Sequence, residues 1–232
     1  AQVETEVKLK EKKQKANVNY VISTGEQYRV HDIDYHISDS GLDSLFHTDS
    51  VKSFIRPETP FDFNLLVQQR ENIVRLFRNN GYFYFNKDEV SYIADSSQYE
   101  REIALDLFVG SRSNADSVRK FTPHYLNNFY ISVLPGATQL TSETEPDREF
   151  ADTVKWDNNT LHQSQQITYR PSLFDNLLQM QSGDLYKLSE ARNTFNAFNR
   201  LRQFRFIDIQ FEKPSSLPDT NLLDCNIRLA PM

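Results

Sequence analysis

Hydrophobic and polar residues alternate in several stretches of this chain, and such alternation is typical of a strand that is buried on one face only. The first stretch follows Gly25, and its apolar positions are Tyr28, Val30, Ile33, Tyr35 and Ile37. Further stretches of this kind are residues 101–110, 124–135, 204–213 and 222–231. Each of them predicts one strand.

Between these strands, two stretches place their apolar residues three and four positions apart, which predicts amphipathic helices. The first helix has a candidate N-cap at Asp62 and ends before Gly81, where a left-handed C-terminal cap is expected. The two apolar stripes are Leu66, Ile73, Leu76 and Phe77, and Leu188, Ala191, Phe195, Phe198 and Leu201. A shorter helix is predicted before each longer one, at residues 41–55 and from Pro171 onward.

The predicted elements occur twice in the order β-α-α-β-β, so the chain has an internal repeat of roughly 100 residues. The copies span residues 25–115 and 116–232, and residues 111–120 form a polar linker between them. An acidic, polar insertion lies near residues 137–166, and an extra hairpin within it is an open alternative. We expect that a short linker can replace the insertion. Residues 1–24 resemble strand material from a preceding unit. The fold class is α+β, with one face of each sheet covered by helices.

Four consecutive aromatic residues, Tyr82 to Phe85, follow the first long helix directly. We interpret them as the start of a strand, in which Tyr82 and Tyr84 face one way and Phe83 and Phe85 the other. One pair then belongs to the core, and the other is a candidate partner surface. Contact with the neighbouring unit or with the insertion is the alternative. The candidate partner-binding residues are Tyr82, Phe83, Tyr84, Phe85, Val90, Tyr92 and Ile93.

Composition and charge narrow the function classes. The formal net charge of −6 argues against a nucleic-acid binder, which needs a basic face. No run approaches the roughly 18 apolar residues of a membrane helix, and the N-terminus has no apolar signal region. The single cysteine, Cys225, lies on an alternating apolar face and is expected in the core. We expect the chain to be a segment of a longer protein.

Candidate chemistry is sparse. His31, Asp32, Asp34 and His36 are the only dense group of possible metal ligands, and we interpret them as the polar side of a half-exposed strand rather than a metal site. The sequence has no catalytic triad pattern, no Gly-rich phosphate loop and no His-x-x-x-His pair. We therefore expect neither an enzyme nor a cofactor.

Three features together resemble a known family. The stretch GEQYRVHDIDYHI is similar to a recurring Gly-x-x-Tyr-x-Val/Ile-x-x-Ile junction, and a helix followed by Asn-Gly-Tyr and a strand resembles a POTRA domain. Residues 167–231 resemble the last POTRA domain before the barrel in the TamA-like lipoprotein branch (TamL) of the BamA/TamA family. The resemblance covers roughly residues 18–232. The lipid-anchor cysteine and the barrel strands of that family are absent, which fits an excised periplasmic segment.

The resemblance implies two tandem POTRA-like βααββ domains, each a three-stranded mixed sheet with two helices on one face. It implies a periplasmic location at the outer membrane of a Gram-negative bacterium, and a covalently linked C-terminal β-barrel in the full-length protein. Partners would be unfolded outer-membrane proteins or assembly-machine subunits, bound by strand addition to an exposed sheet edge.

Three other functions stay open at this point. A free-standing periplasmic or surface binding module, such as an adhesin, would have the same domains without a barrel downstream. An RNA-binding domain of KH type is disfavoured by the acidic balance and the lack of a Gly-x-x-Gly loop. An enzyme that uses the Asp/His strand would depend on a metal ion.

Overall fold

The computed structural model describes residues 2–10, 15–48, 55–98, 100–110, 121–134, 152–163 and 169–232. Three predicted features lie outside these residues: the linker at residues 111–120, the boundary at 115/116 and most of the insertion near 137–166. The strands are β1 (Gln2–Lys10), β2 (Lys15–Ser23), β3 (Arg29–Ile37), β4 (Val90–Asp95), β5 (Glu102–Val109), β6 (Tyr125–Val133), β7 (Asp152–Trp156), β8 (Asn159–Gln163), β9 (Phe204–Glu212) and β10 (Leu222–Pro231). The helices are α1 (Ser40–Thr48), α2 (Phe63–Asn79), α3 (Pro171–Leu177) and α4 (Leu188–Arg200). None of these helices is long and apolar enough to cross a membrane.

The first layered unit is a three-stranded mixed sheet in the order β3-β5-β4, with α1 and α2 packed on it. Strand β3 runs parallel to β5, and β4 runs antiparallel to it. A register shift between Val30 and Asp32 lets Val30 and then Ile33 both turn toward the helices. This explains why the apolar pattern of the sequence changes phase at His31.

Helix α2 begins and ends as its sequence predicts. The Asp62 carboxylate accepts a hydrogen bond from the Asn64 N–H at 2.8 Å, which satisfies one free donor of the first turn. Gly81 follows the helix with φ +92°, a conformation that glycine adopts without steric cost. Leu66, Ile73 and Phe77 are buried against the sheet.

The second layered unit is a five-stranded sheet in the order β7-β8-β6-β10-β9. The expectation of a three-stranded sheet is wrong here, because the β7–β8 hairpin extends the sheet. Strand β8 runs parallel to β6, and the Leu161 side chain at its centre is fully buried in the core. Part of the stretch near 137–166 therefore belongs to the sheet and its core.

Helices α3 and α4 cover the apolar residues of β10. Leu223, Cys225, Ile227 and Leu229 are fully buried, as their alternation predicts. On α4, Ala191 and Phe198 are buried but Phe195 is 42% exposed. The apolar stripe of α4 is therefore wider than the surface that its own sheet covers.

Strands β1 and β2 form a separate two-stranded antiparallel hairpin. Its register pairs Val3 with Ile22 and Val7 with Val18, so one face of the hairpin is apolar. These side chains are exposed, between 44% for Val18 and 61% for Ile22. The exposure of these side chains shows that this face lacks the helix cover that the other two sheets have. An isolated hairpin of this kind is only marginally stable in water.

Candidate functional site

The four aromatic residues after α2 form a turn and not a strand. The Phe85 N–H donates to the Tyr82 carbonyl at 3.0 Å, which closes a four-residue β-turn. A 3₁₀ turn at Lys87–Glu89 follows, and β4 begins only at Val90. The predicted strand at Tyr82–Phe85 is wrong, because these residues form a turn in the connection from α2 to β4, the edge strand of the sheet.

The turn divides the aromatic side chains between the two sheets. Phe85 is buried beside Phe77 at a centroid distance of 4.7 Å, and Tyr82 lies edge-on to the same ring at 6.0 Å. Phe83 packs instead on the core under the five-stranded sheet, at 5.0 Å from Tyr186. The pairs are therefore Tyr82 with Phe85 and Phe83 with Tyr84, and not the alternating pairs that a strand would give.

Tyr84 lies at the interface between the two sheets, which we call the joint, and is 43% exposed. Its ring lies 5.0 Å from the ring of His124, which directly precedes β6. Burial lowers the pKa of His124, so its imidazole is neutral at neutral pH. Phe83 and Tyr84 make the contact with the neighbouring unit that the sequence left open as the alternative, and their role as partner-binding residues stays a prediction.

Gly81 brings the two sheets close together. Its carbonyl accepts a hydrogen bond from the His124 N–H at 2.8 Å. A Cβ atom at this position would lie 2.6 Å from Leu185 Cδ1 and 2.8 Å from Pro123 Cβ. The close approach and the positive φ both require glycine here.

Two polar side chains at the end of α2 also reach across the joint. The Asn79 Oδ1 atom accepts a hydrogen bond from the Ser189 N–H at 2.9 Å, in the first turn of α4. Lys187, the N-cap residue of α4, makes no side-chain cap, so α2 supplies what α4 lacks. The Arg78 Nη2 atom donates to the Tyr186 hydroxyl at 3.1 Å. Aromatic packing and hydrogen bonds thus hold the two sheets in one arrangement.

Strand β4 is one free edge in the described part of the chain, since it pairs only with β5. The Gly110 N–H donates to the Glu89 carbonyl, and backbone direction alternates along an antiparallel pair. The backbone groups of Tyr92 and Ala94 therefore point away from β5. The Val90 side chain is buried and that of Ile93 is 45% exposed, so side-chain contact with a partner is available mainly at Ile93.

Strand β9 is a longer free edge of the described five-stranded sheet. The Leu134 N–H donates to the Leu229 carbonyl, so the backbone groups of Leu229 face β6 and those of Arg228 face β9. With the register of β9 on β10, this leaves the backbone groups of Ile207, Ile209 and Phe211 directed outward. Their side chains lean toward the helices.

A groove of about 580 Å³ lies beside this edge, between β9 and α4. Phe195 and Leu188 of α4 line one side, and Ile207 and Ile209 of β9 line the other. Phe83 belongs to the same lining, although it comes from the turn after α2. The sequence did not predict that β9 is a free edge of its sheet. The length of this strand and the wide stripe of α4 were the available signals.

The histidine and aspartate residues of β3 do not form a joint site. His36 contacts the Asp106 carboxylate of β5 at 2.8 Å, and His31 contacts Glu102 one strand away. Among the described residues there is no group of three or more side chains placed to hold a metal ion. These contacts account for the polar face of the strand.

No protein-family model and no curated protein sequence matches this chain. The fold is similar to that of POTRA domains 3–5 of BamA from Haemophilus influenzae, with a TM-score of 0.52 and 13% sequence identity over 99% of this chain and 72% of that chain. It is also similar to BamA from Haemophilus ducreyi lacking POTRA domains 1–3, with a TM-score of 0.55 and 12% identity over 88% of this chain. This chain spans 30% of that second structure. The fold is therefore α+β with mixed sheets and is POTRA-like.

Proposed function

We propose that this chain is the periplasmic part of an outer-membrane protein assembly or translocation protein, and that it binds client or partner polypeptides. Binding would occur by addition of a client strand to a sheet edge. One observation carries the proposal: both sheets end, within the described residues, on edge strands with outward backbone groups. The POTRA-like fold supports this function. Strand addition through backbone hydrogen bonds requires no cofactor.

The finer assignment is part of the same proposal. We assign residues 25–115 and 116–232 to two tandem POTRA-like units in the TamA-like lipoprotein branch, with a β-barrel further along the full-length protein. The element order β3-α1-α2-β4-β5 supports this assignment, as does the second order with its extra hairpin. Partners would be unfolded outer-membrane proteins or subunits of the assembly machine.

The β1–β2 hairpin corresponds in this proposal to the last two strands of a preceding unit. The other two sheets each place a parallel strand beside the second strand of such a hairpin, and helices over its apolar face. In a chain extended by the preceding residues of its reading frame, we expect the amide hydrogens of Val18–Ile22 to exchange at least tenfold more slowly than in residues 1–232. Equal exchange in both chains would count against this assignment.

The two edges differ in the number of hydrogen bonds that they offer. Each net backbone hydrogen bond contributes roughly 0.5–1.5 kcal/mol. Tyr92 and Ala94 of β4 present four outward groups, whereas Ile207, Ile209 and Phe211 of β9 present six. Two more bonds correspond to roughly 1–3 kcal/mol, or roughly a 5- to 150-fold difference in affinity. We therefore expect β9 to be the stronger edge, with dissociation constants at β4 near the millimolar range.

Nuclear magnetic resonance titration with peptides from outer-membrane barrel strands tests this function. We expect amide shifts at Tyr92 and Ala94 and, at lower peptide concentration, at Ile207, Ile209 and Phe211. An Ala94→Pro variant loses one outward donor and should lose the β4 shifts while it retains those of β9. Ala94→Ser keeps the donor at this exposed position and is the matched control. Absence of shifts at both edges at millimolar peptide would rule the proposal out.

A further inference from the structure

We infer that the groove between α4 and β9 selects client segments that carry a carboxylate two positions from a large apolar side chain, and that Arg78 and Phe83 complete this site from the far side of the joint. This inference names the client class of the proposed function and rests on it. The occupant is an extended polypeptide segment with an acidic residue two positions from an aromatic one.

The apolar half of the site is formed by the two sides of the groove, α4 and β9. Phe195 is exposed there although it belongs to the apolar stripe of α4. Ile207 and Ile209 face it from β9, and their outward backbone groups would align a client strand along the edge. Alternate side chains of that strand would point toward Phe195. A large apolar side chain there would cover the exposed ring.

The charged half of the site is formed by two arginines. The Arg78 guanidinium lies 5.4 Å from the ring centroid of Phe83 and 5.9 Å from that of Tyr186. Its Nη2 atom donates a hydrogen bond to the Tyr186 hydroxyl, while its Nε atom is buried without a hydrogen-bond partner. Arg192 lines the same groove and is exposed. Neither arginine has an acidic partner within ion-pair distance among the described residues.

The acidic residue in the lining does not neutralise these charges. Asp208 contributes to the groove, but its carboxylate is held by Arg228 of the neighbouring strand at 2.6 Å. Two arginines without acidic partners in a chain of net charge −6 form a local site of opposite sign to the whole molecule. A carboxylate would be bound there by charge-assisted hydrogen bonds.

From the two halves we expect one particular spacing in the ligand. Residues two apart on a strand point to the same side, so a client with an aromatic residue and a glutamate at that spacing can meet Phe195 and the arginines together. Phe83 and Arg78 come from the turn after α2 and from its last helical turn. The joint between the sheets thus forms one wall of the binding site, which gives the fixed arrangement of the two units a function.

The experiment uses residues 1–232 and three labelled peptides of about eight residues, the length of an ordinary strand. They share a Thr-Val-Thr-Phe-Thr-X-Thr-Val pattern, in which X is Glu, Gln or Lys. We expect the Glu peptide to bind roughly tenfold more tightly than the Gln peptide, and the Lys peptide more weakly than both. Added salt should reduce this preference.

Variants locate the preference. Arg192→Gln should reduce the advantage of Glu over Gln to less than about threefold, and Arg78→Gln should do the same. Arg200→Gln changes an exposed arginine of the same helix outside the groove, and should leave the preference unchanged. If Arg78→Gln disturbs the joint, Arg192→Gln decides alone, because its side chain is exposed.

The outcomes separate this inference from the proposed function. Equal binding of the Glu and Gln peptides, with shifts along β9, would overturn the inference and leave edge binding intact. No binding of any peptide would overturn both. A preference that survives Arg192→Gln, or a peptide-free dimer that buries Phe195, would also overturn the inference.

Discussion

Replacement of Phe198 by alanine is expected to lower the free energy of unfolding by about 3–5 kcal/mol. The side chain is fully buried. It lies between the rings of Phe174 and Phe204, at centroid distances of 6.2 and 6.0 Å. These rings come from a different helix and a strand, so they cannot both close on the space that the missing ring leaves. The loss therefore includes a cavity as well as the lost burial of apolar surface.

Phe195 supplies the matched control for this result. It lies on the same helix, one turn before Phe198, and is 42% exposed. Phe195→Ala should change the unfolding free energy by less than about 1 kcal/mol, and should weaken peptide binding in the groove instead. Urea unfolding followed by circular dichroism measures both variants. Unchanged unfolding of the Phe198→Ala variant would contradict the packing of α4 on its sheet.

The second large effect is expected at Leu161, where Leu161→Ala should cost about 2–5 kcal/mol. This side chain is fully buried at the centre of β8, between β6 and β7. The Gln163 side chain of the same strand accepts a hydrogen bond from the Tyr169 N–H at 2.8 Å, which ties the hairpin to the chain that leads into α3. The hairpin is therefore joined to the core by packing and by hydrogen bonds.

Lys155→Ala, at an exposed position of β7, is the control and should change stability by less than about 0.5 kcal/mol. Unfolding curves of the two variants distinguish a structural hairpin from a dispensable one. The expectation that a short linker can replace residues 137–166 requires the Leu161 variant to unfold like the control. The buried position of Leu161 leads us to expect the opposite.

The two proposed edges connect stability with function. Edge strands can accept a client only if their outward backbone groups stay unpaired. The contacts at the joint keep the two edges in one arrangement without covering them. In the proposed function, weak strand addition would allow the client to be released. The groove beside β9 would add selectivity through side chains, which backbone bonds alone cannot provide.

The local elements of this protein could be predicted from residue patterns because their signals lie within a few positions of each other. The Asp62 cap, the left-handed Gly81 and the buried row from Leu223 to Leu229 all follow from such short patterns. The phase change after Val30 was visible in the sequence, and the register shift between β3 and β5 explains it.

The aromatic turn shows where this reasoning ends. Four consecutive aromatic residues, Tyr82 to Phe85, fit both a strand and a turn whose central residues point outward. Both structures place bulky side chains on two sides of the chain. Their partners, Tyr186 and His124, lie about 100 and 40 positions further along the chain. A hydrophobic pattern says that a side chain will be buried, but not against which sheet.

The sequence by itself determined the α+β class, the order of the strands and helices apart from the β7–β8 hairpin, and most of the residues of both cores, since periodicity records which face of each element avoids water. Only the tertiary structure decided that β7 and β8 extend the second sheet, that β9 is a free edge, and that Arg78 and Phe83 line a groove beside it. Strand neighbours and shared grooves depend on contacts between distant segments, and the free energy of such contacts is set by the whole fold and leaves no local periodic signal.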